Sequence, residues 1–165
     1  MKVLVATGSK YGSTREVGAV VAEELTSLGF DVDVAEAFEV GGVHFYDAII
    51  VGSAVYGGLW RRDASGLVRE NAEELRHRDV WLFSVGMATV KQPHQEFNEA
   101  KELTSLIAAR EHRTFDGALD YEKLNAGEKA IIRALNPPQG DFRDFAEIRD
   151  WAHGVATELR TVAAL

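Results

Sequence analysis

The sequence of 165 residues has no cysteine, only three prolines and no long apolar run. Without cysteine it cannot form disulfides, thiolate metal sites or iron–sulfur clusters, and it has no thiol nucleophile. A membrane-spanning helix needs about 20 consecutive apolar residues, and no run approaches that length. The five histidines are scattered without the HExxH spacing of a zinc site, so no metal site is predicted.

The sequence is also poor in positive charge. Its 18 Lys and Arg residues against 26 Asp and Glu residues give a net charge of −8. Proteins that bind nucleic acid usually present a basic surface, so nucleic acid is not expected as a partner. The first strand pattern begins at Lys2, which leaves no room for a signal peptide, and we predict a cytoplasmic protein. The length predicts one domain, residues 1–165.

Apolar runs alternate along the chain with helical periodicity. The predicted strands are residues 3–6, 32–34, 48–51, 80–83 and 113–119, and the predicted helices are residues 13–28, 64–75, 97–107 and 145–159. The spacing of Ser13 and Glu16, and that of Asp144 and Glu147, predicts a capping box at the start of the first and last helices.

This alternation indicates an α/β fold of three layers. We predict a five-stranded parallel sheet of order 2-1-3-4-5 with helices on both faces, because parallel strands require right-handed crossover connections. A ligand of such a sheet binds beyond the carboxyl ends of the strands, where the strand order reverses. That position lies beside strands one and three.

Residues 120–141 form an extra segment between the last strand and the last helix, elements that a few residues usually join. Residues 123–135 favour a short helix, which Pro137 and Pro138 end. The apolar residues of this segment suit a lid or docking surface for an apolar substrate or a membrane face. The alternative is a helix that covers the edge of the sheet.

A turn rich in hydroxyl groups, here called the first turn, follows strand one and leads into the first helix. Its residues are Ser9, Lys10, Tyr11, Gly12, Ser13 and Thr14. The unpaired N–H groups and the positive dipole end of a helix attract phosphate, and the hydroxyl groups add donors. The spacing fits neither GxGxxG nor a P-loop. The first turn therefore predicts a phosphate site, the alternative being a capped helix after a tight turn.

A second turn, residues 52–58, follows strand three and carries one aromatic ring. The predicted binding residues there are Ala54, Val55, Tyr56, Gly57 and Gly58. Tyr56 can stack on a flavin ring, and the two glycines permit a peptide flip beside flavin N5. The alternative is that Tyr56 is a surface residue of a loop. Together the two turns predict a site for flavin mononucleotide (FMN).

A third loop, residues 84–90, follows strand four at the same sheet edge. Its predicted contacts with the flavin come from Ser84, Val85, Gly86 and Met87, the alternative being an ordinary connection from strand to helix. Residues 86–94 contain no aromatic residue, so one flavin face is predicted to be open to a substrate. Cations near this rim, predicted to be Arg61, Arg62 and Lys91, would ease two-electron reduction. The alternative for the two arginines is a solvated helix start.

Residues 9–14 resemble the flavodoxin phosphate loop, usually T/S-x-T-G-x-T, with Tyr11 where flavodoxins favour threonine. Residues 51–57, 83–85 and 117–151 are similar to the flavodoxin-domain family that includes menaquinone-dependent protoporphyrinogen dehydrogenase. The resemblance covers nearly the whole chain. It implies a flavodoxin-like fold, FMN as the cofactor, and an extra segment at residues 120–141.

Two functions follow from this resemblance. One is an FMN-binding oxidoreductase that moves electrons or hydride between a small organic substrate and a quinone-type acceptor. The other is a flavodoxin that carries electrons between protein partners. A flavin-free receiver domain is disfavoured, because Gly52 and Ser53 stand where a receiver needs an aspartate. No catalytic residue is predicted, since neither a Ser-His-Asp set nor a carboxylate pair is evident.

Overall fold

Strands and helices alternate along the chain as the sequence predicts. A computed structural model describes residues 1–86, 98–119, 121–135 and 140–165. In chain order the elements are β1 (Lys2–Gly8), α1 (Ser13–Ser27), β2 (Asp31–Glu36), β3 (Ala48–Tyr56), β4 (Leu59–Trp60), α2 (Arg62–Glu70), α3 (Ala72–Leu75), β5 (Asp79–Gly86), α4 (Glu99–Ile107), β6 (Glu111–Asp116), β7 (Ala118–Leu119), α5 (Ala126–Leu135), β8 (Gly140–Asp141) and α6 (Phe145–Ala163). Short 3₁₀ helices lie at Ala37–Glu39 and Tyr121–Lys123.

The central sheet has the order β2-β1-β3-β5-β6, and all its neighbouring strands run parallel. This is the predicted order 2-1-3-4-5, because β4 is a short strand that only pairs antiparallel with the end of β3. The predicted fold class is therefore confirmed. A separate pair, β7 and β8, brackets the extra segment.

Two apolar clusters cover the two faces of the sheet. Val3 and Val5 of β1 pack with α1 and α6, whereas Leu4 and Ala6 pack with α2 and α4. Side chains alternate between faces along a strand, so a strand covered on both faces is apolar throughout. This is why β1, β3 and β5 appear in the sequence as continuous apolar runs.

Strands β3 and β5 extend furthest beyond their predicted ends. β3 extends to Tyr56 and β5 to Gly86, so most of the predicted second turn and the start of the third loop are strand. The apolar pattern ends earlier because residues 52–54 are Gly, Ser and Ala, which favour strands weakly. The parallel pairing nevertheless continues through them, with Ser53 beside Ser84 and Ala54 beside Val85.

One predicted helix and one predicted strand are each divided into two elements in the structure. The predicted helix 64–75 breaks at Asn71, whose side-chain amide donates to the Leu67 carbonyl at 2.8 Å. The predicted strand 113–119 ends in the central sheet at Asp116, after which β7 turns away to pair with β8. The start of the predicted helix 97–107 and the predicted site residues Met87 and Lys91 lie outside the described residues.

The N-termini of α1 and α6 are capped differently. Asp144 caps α6, accepting a hydrogen bond from the N–H of Glu147 at 3.1 Å, which is one half of the predicted capping box. The Glu147 carboxylate bonds to Arg113 at 3.3 Å instead of completing the box. The predicted capping box of α1 is wrong: its N-cap is Gly12, with φ 93°, and no side chain caps the helix. The carboxylate of Glu16 bonds to Arg143 instead.

No helix of the described chain is long and apolar enough to cross a membrane.

Candidate functional site

The first turn lies at the carboxyl end of β1, beside β3. Gly8, the last residue of β1, pairs with Ser53 of β3. The turn is closed by the N–H of Gly12, which donates to the hydroxyl of Ser9 at 2.9 Å. Because no side chain caps α1, the first N–H groups of the helix remain available to a ligand. The predicted position of a phosphate at this helix start is thus geometrically open.

The buried hydroxyl of Thr14 indicates whether the first turn is suited to bind a phosphate. The side chain of Thr14 is fully buried, yet its Oγ1 has no hydrogen-bond partner among the described residues. Two other buried atoms share this property, Nε of Arg61 and Nε1 of Trp81. An unsatisfied buried donor costs about 1–3 kcal/mol. A phosphate oxygen at the first turn would satisfy Thr14, so the residues present fit the predicted group.

The second turn is a hairpin with a two-residue loop. Gly57 and Gly58 have φ angles of 57° and 79°, and the type I′ turn of such a hairpin requires positive φ at both positions. Tyr56 and Leu59 face each other across the loop and are 44% and 50% exposed. The hairpin therefore presents the Tyr56 ring at the surface, as a stacking role requires. Ala54 is buried within β3, and Val55 pairs with Trp60.

The start of α4 fastens this β3–β4 hairpin. The N–H of Glu99 donates to the Gly58 carbonyl at 3.0 Å, and its carboxylate accepts from the N–H of Trp60 at 2.9 Å. These bonds hold the peptide that follows Gly58. The predicted flip is thus restricted to the peptide between Gly57 and Gly58.

The residues predicted in the third loop lie mostly in β5. Ser84 is 2% exposed, and its hydroxyl bonds to Trp60 and His112. Val85 packs in the core, and the Gly86 carbonyl accepts from the N–H of Gly117 at 2.9 Å. The side chains of Ser84 and Val85 are thus engaged within the protein. Their predicted flavin contacts remain a prediction.

Lys10 and Tyr11 contact the extra segment. The Lys10 ammonium lies 3.0 Å from a carboxylate oxygen of Glu128, and the Tyr11 hydroxyl bonds to the same oxygen. We call these three residues the Glu128 latch. Partial burial raises the pKa of Glu128, but the bonds from Tyr11 and Lys10 outweigh it and lower the pKa. The carboxylate is thus charged at neutral pH and joins α5 to the first turn.

Sequence reasoning missed Glu128, although a signal was present. The N–H of Glu128 donates to the side chain of Asn125 at 2.8 Å, and the N–H of Asn125 donates to the Glu128 carboxylate at 3.2 Å. This is the reciprocal pattern of a capping box at the start of α5. The spacing of Asn125 and Glu128 locates this helix start, but not the contact with Lys10, which lies 118 positions earlier in the sequence.

Arg143 fastens the other end of the extra segment. Its guanidinium bonds to Asp141 at 2.6 Å and 2.9 Å and also contacts Glu16 of α1. These bonds lower the pKa of Asp141 to about 2. The extra segment is therefore attached at two places. Its C-terminal end is held near α1 through Arg143, and α5 is held at the first turn through Glu128.

The pKa of the Tyr56 phenol is raised above its ordinary value, mainly by burial. The charges of Glu128 and Tyr11 raise this pKa further, whereas those of Arg61 and Lys10 lower it. The first turn, the hairpin, the start of α2 and the extra segment therefore share one electrostatic environment. The predicted residues of the first two turns converge at one end of the sheet.

Known proteins resemble the chain along nearly its whole length. A curated relative from Escherichia coli K12, protoporphyrinogen IX dehydrogenase [quinone], is 25% identical over 175 aligned positions, covering 100% of this chain and 96% of the relative. A point mutant of flavodoxin from Pseudomonas aeruginosa has a TM-score of 0.63 at 16% identity, covering 97% of this chain and 99% of that one. A flavodoxin from the domain Archaea has a TM-score of 0.68 at 14% identity, with the same coverage.

A family match extends this resemblance. The flavodoxin domain family matches residues 4–145, which include both turns and the extra segment. The match supports FMN, the cofactor predicted from those turns. The chain belongs to the flavodoxin domain family.

Proposed function

We propose that this protein is an FMN-dependent oxidoreductase that moves electrons or hydride between a small organic substrate and a quinone-type acceptor. The observation that carries the proposal is the Glu128 latch, which attaches the extra segment to the first turn. A segment that borders the cofactor offers a substrate a contact surface that an electron carrier does not need. The similarity to a protoporphyrinogen IX dehydrogenase [quinone] over the whole chain supports the same reaction class.

The redox chemistry of this reaction belongs to FMN when it is bound. The residues of the chain bind and orient it: the first turn and Thr14 would hold the phosphate, and Tyr56 would cover one face of the ring. The hydrogen bonds of Glu99 with Gly58 and Trp60 keep in place the hairpin that carries Tyr56. We assign no side chain of the described residues to proton transfer.

A second candidate function, electron transfer between proteins, is favoured by one surface. A groove between β6 and α6 is lined by the acidic residues Glu111, Asp144, Glu147, Asp150 and Glu158. One cation, Arg113, lines it with them. Acidic surfaces attract basic partners and accelerate their association. Such a groove would suit a basic redox protein.

Anaerobic reduction of the FMN-loaded protein distinguishes the two functions. We expect stepwise reduction to pass directly from the oxidised to the two-electron-reduced spectrum. In a separate turnover assay, protoporphyrinogen IX should reduce the bound FMN and a quinone should reoxidise it. A one-electron-reduced form that accumulates, without turnover with quinone, would favour the carrier. A protein that cannot be loaded with FMN would contradict both.

A further inference from the structure

Lys10 and Tyr11 use their side chains and their backbones differently. Their side chains bond to Glu128 of α5 in the Glu128 latch. Their backbone N–H groups donate to no group among the described residues, whereas the N–H of Gly12 donates within the turn to Ser9. The two residues that hold α5 therefore also offer two free backbone donors to a ligand of the first turn.

The Glu128 latch connects α5 to a protein core in which α5 takes little part. None of the described side chains of α5 belongs to the apolar cluster on either face of the sheet. Ile132 is the one apolar residue described in α5 that is buried, and Arg133 bonds to Tyr121 of the same segment. A helix with so few buried apolar contacts opens at a lower free energy than the core unfolds. The position of α5 therefore depends on the contacts of Glu128 with the first turn.

A phosphate at the first turn would act on this connection through the backbone. Hydrogen bonds from the N–H groups of Lys10 and Tyr11 would fix the backbone of both residues. Their side chains would then lose less conformational entropy on bonding to Glu128, so the latch would be more stable. Lys10 balances the charge of Glu128, so repulsion between the carboxylate and the phosphate opposes this effect only weakly.

We propose that FMN binding stabilises the closed position of α5, in which Glu128 contacts the first turn, and that Tyr11 and Glu128 transmit this effect. The inference rests on the proposed FMN site and adds a conformational response to it. A substrate that contacts the extra segment is then bound more tightly by the FMN-loaded protein. Coupling between two sites is reciprocal, so closure of α5 must strengthen FMN binding by the same factor.

Hydrogen exchange, measured by mass spectrometry with and without saturating FMN, tests this coupling. We expect FMN to slow exchange in α5 of the unmodified protein about tenfold, a typical coupling between two sites. Tyr11→Phe removes one bond to Glu128 and should reduce this effect, and Glu128→Ala removes the latch and should abolish it. The dissociation constant of FMN, measured by quenching of flavin fluorescence, should rise by up to the same factor in Glu128→Ala and by less in Tyr11→Phe.

Tyr46→Phe is the matched control for Tyr11→Phe. It also removes one phenol hydroxyl, which donates to Asp33 of β2 at 2.8 Å and has no contact with α5. This control should keep both the FMN affinity and the effect of FMN on α5. FMN also stabilises the whole fold against unfolding and so slows exchange in the core strands, which is why the variants are compared within α5.

The coupling would be overturned, with the FMN site left intact, if FMN bound without slowing exchange in α5 or slowed it equally in Glu128→Ala. Unchanged FMN affinity in Glu128→Ala, or an equal loss in Tyr46→Phe, would overturn it as well. If Glu128→Ala does not fold, the comparison of Tyr11→Phe with Tyr46→Phe decides the question. Failure of the unmodified protein to bind FMN would overturn the proposed function and this coupling together.

Discussion

The hydroxyl of Ser84 lies 2.7 Å from Nε2 of His112, and the indole of Trp60 donates to the same hydroxyl at 2.8 Å. An indole N–H can only donate, so Ser84 accepts from Trp60, while the tautomer of His112 sets the direction of its bond with Ser84. These bonds connect β4, β5 and β6 and hold the hairpin that carries Tyr56.

This arrangement predicts a pH-dependent stability. Burial lowers the pKa of His112 below its ordinary value of 6.5, although Glu111 opposes the shift. The unfolded chain therefore takes up the proton first as the pH falls. The contribution of neutral His112 is complete above pH 6.5 and is lost as the pH falls through the lower pKa of the folded state. Urea unfolding between about pH 5 and pH 8 should show this decline.

Two variants isolate the effect of His112. His112→Gln should remove this part of the pH dependence and reduce the unfolding free energy by about 1–3 kcal/mol, because the buried Ser84 hydroxyl loses its hydrogen bond to the imidazole. His77 is an exposed imidazole, so His77→Gln should keep the slope of the unmodified protein. The same pH slope in His112→Gln and in the unmodified protein would contradict the assignment.

Thr14→Val separates ligand binding from folding stability. The Thr14 hydroxyl is buried without a partner among the described residues, so its removal should leave the unfolding free energy unchanged or raise it by up to about 1 kcal/mol. If the hydroxyl donates to the FMN phosphate, the dissociation constant of FMN should rise about tenfold. Urea unfolding and fluorescence titration measure the two quantities.

Thr26→Val is the matched control in the same helix. The Thr26 hydroxyl already donates to the Ala22 carbonyl at 2.8 Å, at the far end of α1. This variant should leave FMN affinity unchanged. FMN affinity that is equally unchanged in Thr14→Val would remove Thr14 from the site.

The strand order was predictable because it depends on local pattern. Residues 3–6, 48–51 and 80–83 are apolar throughout, and the topology rules for parallel sheets leave few alternatives. The first turn was predictable for a similar reason, since its residues are consecutive. Contacts between distant segments leave no such pattern. Neither Glu128 beside Lys10 nor His112 beside Ser84 has a periodicity or spacing that connects the partners.

The residues at which strands end and helices begin were less predictable than the presence of the turns between them. Ser53 and Ala54 favour strands weakly, yet β3 continues through them because β5 provides hydrogen-bond partners. Glu16 has the spacing of a capping residue, yet its carboxylate bonds to Arg143. In both cases a tertiary contact replaced the local preference.

The Glu128 latch should control the exposure of α5. Its carboxylate is held by Lys10 and Tyr11, so Glu128→Gln should accelerate amide hydrogen exchange in α5 and leave that of β1 unchanged. Because the pKa of Glu128 is lowered in the folded state, the latch contributes fully above about pH 4.5 and is lost at lower pH. Exchange measured by mass spectrometry at neutral pH resolves the two regions.

A double-mutant comparison tests whether Lys10 and Glu128 act as a pair. Lys10→Gln should accelerate exchange in α5 less than Glu128→Gln does, because Tyr11 still bonds to Glu128, and the double variant should add little to Glu128→Gln. Lys123 is exposed in the same segment, so Lys123→Gln serves as the control that changes only net charge. Additive effects of Lys10→Gln and Glu128→Gln would show that they do not act through one contact.

Tyr56 and Leu59 provide a matched pair for the stacking role. They face each other across the hairpin loop and are similarly exposed, but only Tyr56 has an aromatic ring. A stacked aromatic pair contributes about 0.5–1.5 kcal/mol beyond burial, so Tyr56→Ala should raise the dissociation constant of FMN at least about threefold. Tyr56→Phe keeps the ring and should keep the affinity. Leu59→Ala removes a comparable apolar side chain from the same hairpin, so an equal loss there would mean that the hairpin surface, not the ring, binds the flavin.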